Sequence, residues 1–393
     1  MKVKAVVLSG GGAKGSYQIG VWKGLRKLHI KYDIVTGTSV GALNGALMVQ
    51  KKYRKAIKLW KNIDFDLLFG KGKVKDTSSK LKILKNYSDS FFKEGGMDVK
   101  ELEEVVRKYV DTYTFYRSKI DFGLVTFNYS KRKAEELKKK DIPREKLVDY
   151  LMASATCFPA FKKKNIDGNS YIDGGYYDNL PINLALSLGA TEVIAINLSA
   201  PGKTRRVKTD VEITTIKPNN DLSFFLDFNN EPALHNIKYG YNDTLKAFNK
   251  LEGNIYSFKL NNLKKNYDVH KDTYLYCLNS IIDKKIDVKA IPILKNINND
   301  KYLQKYFYRI MENVGSFLQI DDTVIYNYKK YNKLIIKKFD SYMKDSPKKG
   351  NFKVVKGIYN SLVTDDYAKV RRQLILHPSE FLMALYIYVI KEV

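Results

Sequence analysis

Gly37-Thr38-Ser39-Val40-Gly41 sets a serine at the centre of a Gly-x-Ser-x-Gly pentapeptide. A serine hydroxyl becomes a nucleophile once a base takes its proton. A turn tight enough to present it needs almost no side chain two positions before and after, hence Gly37 and Gly41. Further on, Tyr171-Ile172-Asp173-Gly174-Gly175 offers a carboxylate followed by two glycines, Gly174 and Gly175, that clear space around it. A carboxylate acts as such a base when partial desolvation moves its pKa toward neutrality. Near the N-terminus, Gly10-Gly11-Gly12-Ala13-Lys14-Gly15 supplies backbone N–H donors with no Cβ in the way. A loop of this kind leading into a helix gathers donors on one anion. For attack on an ester, that anion is the tetrahedral oxyanion. Lys14 is placed to orient the loop or to meet a lipid phosphate. The chemistry these segments suit together is acyl transfer to Ser39. Singly they are weak, because an Asp-Gly pair is more often a plain turn and a glycine-flanked serine is often a helix cap.

Two other chemistries fit parts of the pattern. Histidine is the usual base for a serine, and His235, His270 or His377 would complete a Ser…Asp…His order, although no motif surrounds any of the four histidines. Gly10, Gly12 and Gly15 also match the G-x-G-x-x-G dinucleotide fingerprint after a strand. That reading needs an acid at the carboxyl end of the second strand. Asp33 stands at the start of that strand, and Gly37-Thr38-Ser39 occupies its end. Dinucleotide binding therefore ranks second. A non-enzymatic lipid- or nucleic-acid-binding protein is the remaining alternative.

The elements that would carry these residues follow from hydrophobic spacing. Lys4 to Leu8 reads as a buried strand and Ser16 to Leu28 as a helix. Asp33 to Thr36 reads as a second strand, with Val40 to Val49 a helix beginning directly after Ser39. Strand, loop, helix and strand in this order make a βαβ unit with a parallel pair. Asp98 to Val110 and Arg144 to Met152 are expected helices. Ile120 to Phe127, Tyr171 to Asp173 and Glu192 to Leu198 are expected strands. Residues 67–96, rich in Gly, Ser and Lys, break the rhythm and are expected to form an insertion or lid beside the site. From Pro218 onward Asn, Lys and Tyr dominate and helical patterns run to the end. The expected organisation is an α/β sheet domain over 1–218 and a mostly helical extension over 219–393.

In order and spacing, the glycine loop, the Gly-x-Ser-x-Gly serine and the Asp-Gly-Gly aspartate resemble the patatin-like phospholipases. Ala153-Ser154 ahead of Pro159, Asp178-Asn179-Leu180-Pro181 and Leu188-Gly189-Ala190 add to the likeness, which covers residues 4–200. The resemblance implies a three-layer α/β sandwich around a mostly parallel sheet. It implies a Ser39–Asp173 dyad without histidine, an oxyanion hole from the Gly10–Gly12 loop (the Gly11 and Gly12 amides above all) and hydrolysis of lipid acyl esters, often of phospholipids. It implies no cofactor and no metal. The extension matches no pattern of the family.

Whole-chain properties bound the rest. The chain has 393 residues and a net charge of +27. Residues 1–200 carry 36 Lys+Arg against 21 Asp+Glu, a net of +15, and the remainder carries +12, so the excess is spread and not held in a tail. Such a field favours anionic partners. Peripheral contact with an anionic membrane surface is expected, and a nucleic-acid partner is not. Cys157 and Cys277 cannot make a disulfide framework, and no Cys or His spacing suggests zinc. The apolar run Ala5–Leu8 is too short for a signal peptide and no stretch approaches a spanning helix. The longest, Phe381 to Ile390, is expected to be a buried terminal helix. A cytoplasmic protein is expected.

Overall fold

The computed structural model describes residues 2–74, 76–281, 299–345 and 350–392. They divide into two compact units, Met1–Ala247 and Phe248–Val393.

In the first unit, β1 (Lys4–Leu8) and β2 (Ile34–Thr38) are nearly wholly buried, as strands covered on both faces must be. They pair in parallel, with Leu8 opposite Gly37. Around them lie β3 (Asp121–Asn128), β4 (Lys133–Lys138), β5 (Lys164–Ile166), β6 (Asn169–Asp173), β7 (Glu192–Ile196) and β8 (Glu212–Ile216). The sheet runs β5-β6-β3-β2-β1-β7-β8, with β4 paired to β3. The pairs β1–β2, β1–β7, β2–β3 and β7–β8 are parallel, while β4, β5 and β6 add antiparallel pairs at one side.

Ten helices of this unit are described: α1 (Ser16–Lys27), α2 (Val40–Val49), α3 (Tyr53–Lys61), α4 (Phe65–Phe69), α5 (Lys80–Glu94), α6 (Lys100–Tyr109), α7 (Thr112–Arg117), α8 (Leu147–Ala155), α9 (Ile182–Ser187) and α10 (Asn230–Ala247). Alternation along the strands sends side chains to opposite faces. Ala5, Val7 and Ile34 meet Ile182 and Ala185 of α9 on one face. Leu8, Val35 and Phe122 lie against Gly45 of α2 on the other. Helices on both faces of a mostly parallel sheet make three layers, as expected.

Three features differ from the sequence reading. Residues 67–96 hold a full helix, α5, whose N-cap Ser79 accepts from the Lys82 amide. Strands β4, β5 and β8 have no counterpart in the sequence reading, because they are short or half-exposed and lack a buried-strand signature. The expected boundary at 218/219 precedes a segment that packs with the first unit. There, the Tyr17 hydroxyl of α1 donates to Asp243 of α10 at 2.9 Å in a buried hydrogen bond, and the Ala13 amide donates to the Phe225 carbonyl at 2.8 Å. The change of composition at Pro218 therefore marks no edge of the core.

The second unit is mostly helical, with a small sheet of Leu251–Glu252, Ser257–Lys259 and Ile325–Tyr326. Its core includes Phe307, Met311, Tyr331 and Phe339. The terminal helix Pro378–Glu392 buries Phe381, Leu385 and Val389 in that core, so the apolar run at the end of the chain is a core helix, as expected. No helix among the described residues is long and apolar enough to cross a membrane.

Candidate active site

The site arises where two strands meet end to end. β3 pairs with β4 through residues 123–128, which occupies one of its edges. The other edge is shared: β2 takes residues 121–125 and β6 takes 126–128. Thr38 stands opposite Val125, and Asp173 stands opposite the next residue, Thr126. β2 runs with β3 and β6 runs against it, so their carboxyl ends converge. Whatever follows Thr38 must face whatever ends β6. A side chain at the junction would collide, since a Cβ on Gly174 would lie 2.1 Å from the Val125 carbonyl oxygen.

Ser39 follows Thr38 directly. Its backbone sits at φ 58°, ψ −130°, a conformation that costs a non-glycine residue on the order of 1–3 kcal/mol and persists only when its surroundings impose it. The turn is so tight that a Cβ on Gly37 would lie 2.4 Å from the Gly41 carbonyl, and one on Gly41 2.3 Å from the Leu8 carbonyl oxygen. This is the physical content of Gly-x-Ser-x-Gly here. The Ser39 amide donates to Ser154 Oγ at 2.9 Å, and Ser154 Oγ donates to the Val125 carbonyl at 2.7 Å. Ser154, fully buried on α8, thereby ties the turn to the same β3 residue that opposes Thr38.

Asp173 is buried to 6% exposure, its carboxyl accepts from the Gly175 amide at 2.7 Å, and the Ser39 side chain stands close enough to favour its charged form. Burial raises this carboxyl from the usual aspartate range to about 6, against the opposing pull of the neighbouring Ser39 side chain and the Gly175 hydrogen bond. Nearby Cys157 is a half-buried thiol pushed up to about 12 by desolvation and by the Asp173 charge, so it stays protonated.

Of the glycine-loop amides, Gly10 donates to the Asn179 carbonyl at 3.0 Å and Ala13 to Phe225. This departs from the expectation that Gly10 joins the anion cradle: its N–H is turned to the 178–181 segment. Among the described residues, the amides of Gly11, Gly12 and Val40 have no protein acceptor, and all three residues line the cavity beside Ser39. Lys14 and Gly15 do not line it. Gly15 instead packs against Val40 and Trp60, and Lys14 is half-buried outside the cavity lining.

The cavity encloses about 500 Å³ and is walled mainly by apolar side chains. Val40, Leu43 and Leu47 form one face of α2, and Leu102, Val105, Val106 and Tyr109 one face of α6. Phe225, Leu226 and Phe228 close another side. Both Ser39 and Asp173 line it, and no histidine does. Asn44 of α2 was not anticipated as a structural anchor. Its amide donates to the Gly15 carbonyl at 3.0 Å and to Gln18 at 2.8 Å, and its oxygen accepts from Trp60 Nε1 at 2.9 Å. Asn44→Ala strands these buried groups and is expected to lower unfolding free energy by about 2–4 kcal/mol, read as a fall in the urea midpoint. Asp33, which a dinucleotide site would need at the strand's carboxyl end, instead accepts from the Lys4 amide at 3.0 Å at the opposite end of the sheet. Among the described residues no cluster of His, Cys, Asp and Glu is arranged as a metal centre.

An open α/β sheet with a strained serine on a strand-to-helix turn, beside a buried carboxyl and an apolar cavity, is the class of protein defined by this fold and site. Residues 6–186 match the family model described as Patatin-like phospholipase, so the chain carries a patatin-like phospholipase domain. It is 28% identical over 206 residues to patatin-like phospholipase domain-containing protein 7 of Rattus norvegicus, a match covering 51% of this chain and 14% of the relative. It is 28% identical over 201 residues to lysophospholipase NTE1 of Coccidioides immitis (51% and 12%). It is 29% identical over 211 residues to patatin-like phospholipase domain-containing protein 6 of Homo sapiens (51% and 14%). The chain thus spans about an eighth of the length of these relatives. Among solved structures, VipD from Legionella pneumophila is similar over 99% of this chain and 92% of its own, with 15% identity and a TM-score of 0.43. The type III effector protein ExoU is similar over 98% and 77%, with 13% identity and a TM-score of 0.34.

Proposed function

We propose that this domain is a serine lipid acyl hydrolase of the phospholipase A or lysophospholipase type, working through a Ser39–Asp173 dyad. The observation that carries the reading is the juxtaposition of a strained serine and a buried, pKa-raised aspartate in the lining of one apolar cavity. Asp173 takes the Ser39 proton as Oγ bonds to the ester carbonyl carbon, and the carbonyl oxygen becomes an oxyanion. The Gly11 and Gly12 amides, free of protein acceptors, hold that charge; one such donor is worth roughly 10²–10³ in rate. When the tetrahedral intermediate collapses, the C–O bond to the leaving group breaks and Asp173 returns the proton to the departing alcohol or lysolipid. Water then attacks the acyl-Ser39 ester with Asp173 again as base, releasing the fatty acid and restoring the serine. The apolar walls from α2 and α6 accommodate the acyl chain.

The direct test is labelling with a fluorophosphonate probe. Labelling is expected in the native protein and in alanine variants of His29, His235, His270 and His377, and is expected to vanish in Ser39→Ala and Asp173→Asn. Loss in any single histidine variant would replace the dyad by a triad.

A pH profile checks the base. Asp173 must be ionised to accept a proton, and its pKa stands at about 6. The expected kcat/KM therefore rises about tenfold per pH unit below that value and levels off above it. An acid limb near the ordinary aspartate range would show that Asp173 is not the group being read.

A further inference from the structure

α5 carries more apolar surface than the domain covers. Ile83 and Tyr87, one turn apart, face inward: Tyr87 packs on Phe69 and Phe161 and its hydroxyl donates to the Leu226 carbonyl. Phe161 and Leu226 line the cavity, so the inner face of α5 backs the cavity wall. The apolar arc does not stop there. Leu84 is 40% exposed, and Leu81 and Phe92, about three turns apart on one side of the helix, are 79% and 82% exposed. Isolated exposed apolar residues need no explanation, but a stripe along a helix does.

The stripe continues toward the cavity lining. Phe91 lies edge-on to Phe158 with ring centroids 5.9 Å apart. The hydroxyl of Tyr176, a half-exposed residue of the cavity lining, donates to the Phe158 carbonyl. Lys163 Nζ sits 3.6 Å from the ring centre of half-exposed Tyr129 and 5.0 Å from that of Phe158, setting a cation among the aromatics. On α5 itself, Lys85 and Lys93 flank the stripe and have no carboxylate partner among the described residues. Glu94 is engaged by Lys162, which leaves Asp89 as the one acid of α5 without an ion-pair partner among the described residues. Large apolar and aromatic side chains bordered by lysines match a lipid interface, where rings sit at headgroup depth and lysines meet anionic headgroups.

We propose that the outer face of α5, with Phe158, Tyr129 and Lys163, docks on an anionic lipid surface and sets the cavity mouth against it. The proposal deepens the acyl-hydrolase reading by naming how substrate in a membrane reaches Ser39. The charge of +27 on the chain acts in the same direction. The occupant is a bilayer and not a second copy of the chain, because two copies meeting at this face would oppose lysine to lysine.

The test separates docking from turnover. The full chain carrying Ser39→Ala is floated with vesicles of phosphatidylcholine alone or mixed with phosphatidylserine, at low and high salt. Binding is expected only to the anionic vesicles and to weaken with salt. Leu81→Ser with Phe92→Ser is expected to cut the partition by roughly tenfold or more. Lys85→Glu with Lys93→Glu is expected to cut it and flatten its salt dependence. Both pairs lie on the surface and are expected to leave hydrolysis of a soluble short-chain ester within about twofold, since they touch no group of the dyad. Unchanged partition in both double variants, no binding by the parent, or equal binding to neutral vesicles would overturn the proposal. So would conversion of an oligomer to a monomer by the Leu81/Phe92 pair with partition unchanged. Docking without hydrolysis of the soluble ester by the native protein would sink the acyl-hydrolase reading and leave the docking face standing.

Discussion

Replacing Asp173 with asparagine is expected to abolish turnover while leaving the domain at least as stable as before. Asparagine keeps the shape and still accepts from the Gly175 amide, but it cannot take a proton from Ser39. Loss of the proposed base is expected to reduce kcat/KM by roughly 10³-fold or more. Stability moves the other way. The native carboxyl titrates at about 6, above its ordinary value of 3.8, because burial disfavours the charge. The native state therefore binds more protons than the unfolded chain between those values, and stability falls as pH rises through that window. Above it, the protein holds a buried charge whose penalty, from a shift of about two units, is on the order of 3 kcal/mol. Asparagine removes that penalty. Its advantage in unfolding free energy is expected to be present at neutral pH and to fade toward pH 4, where the native aspartate is already neutral. Urea unfolding of both proteins across pH reads it. A variant that loses activity and stability together at neutral pH would mean that the carboxylate supports the fold and is not held there under strain.

The parts of this site governed by short-range rules were legible in the sequence. Buried strands announce themselves by runs such as Ala5–Leu8, and a Gly-x-Ser-x-Gly turn by glycines that nothing larger could replace. The parallel β1–β2 pair, with Leu8 opposite Gly37, follows from the strand–helix–strand order, whereas the β2–β3 pairing that sets Thr38 opposite Val125 does not. What escaped depends on residues far apart in the chain. The Gly10 amide is lost to the cradle because the Asn179 carbonyl, 169 positions away, accepts it. The 219–247 segment reads as extension by composition, yet Phe225 and Phe228 wall the cavity and Asp243 takes the Tyr17 hydroxyl. β4 is a run of helix-compatible residues without strand alternation, and it becomes a strand only because β3 offers it an open edge. α5 hides between glycine and serine runs that resemble a loop.

Ser154 shows what register adds to residue type. In the sequence it is one serine in an apolar helix, quoted only for its place ahead of Pro159. In the fold its single oxygen accepts from the strained Ser39 amide and donates to Val125, the β3 residue level with Thr38. Ser154→Ala removes both bonds at once. The Ser39 amide is left buried without a partner, which is expected to cost about 1–3 kcal/mol of stability. The elbow also loses the tether that opposes its relaxation from positive φ. Displacing a nucleophile by even ~1 Å costs on the order of 10² in rate. Ser154→Ala is therefore expected to lower kcat by about that factor with KM little changed, because the apolar cavity walls on α2 and α6 are untouched. Ser154→Thr, which keeps the hydroxyl, is expected to recover most of the loss. Fluorophosphonate labelling rates, measured where every variant is fully folded, decide the matter. If Ser154→Ala labels as fast as the native protein there, the serine braces the fold alone and the strained turn is held by Gly37 and Gly41 without it.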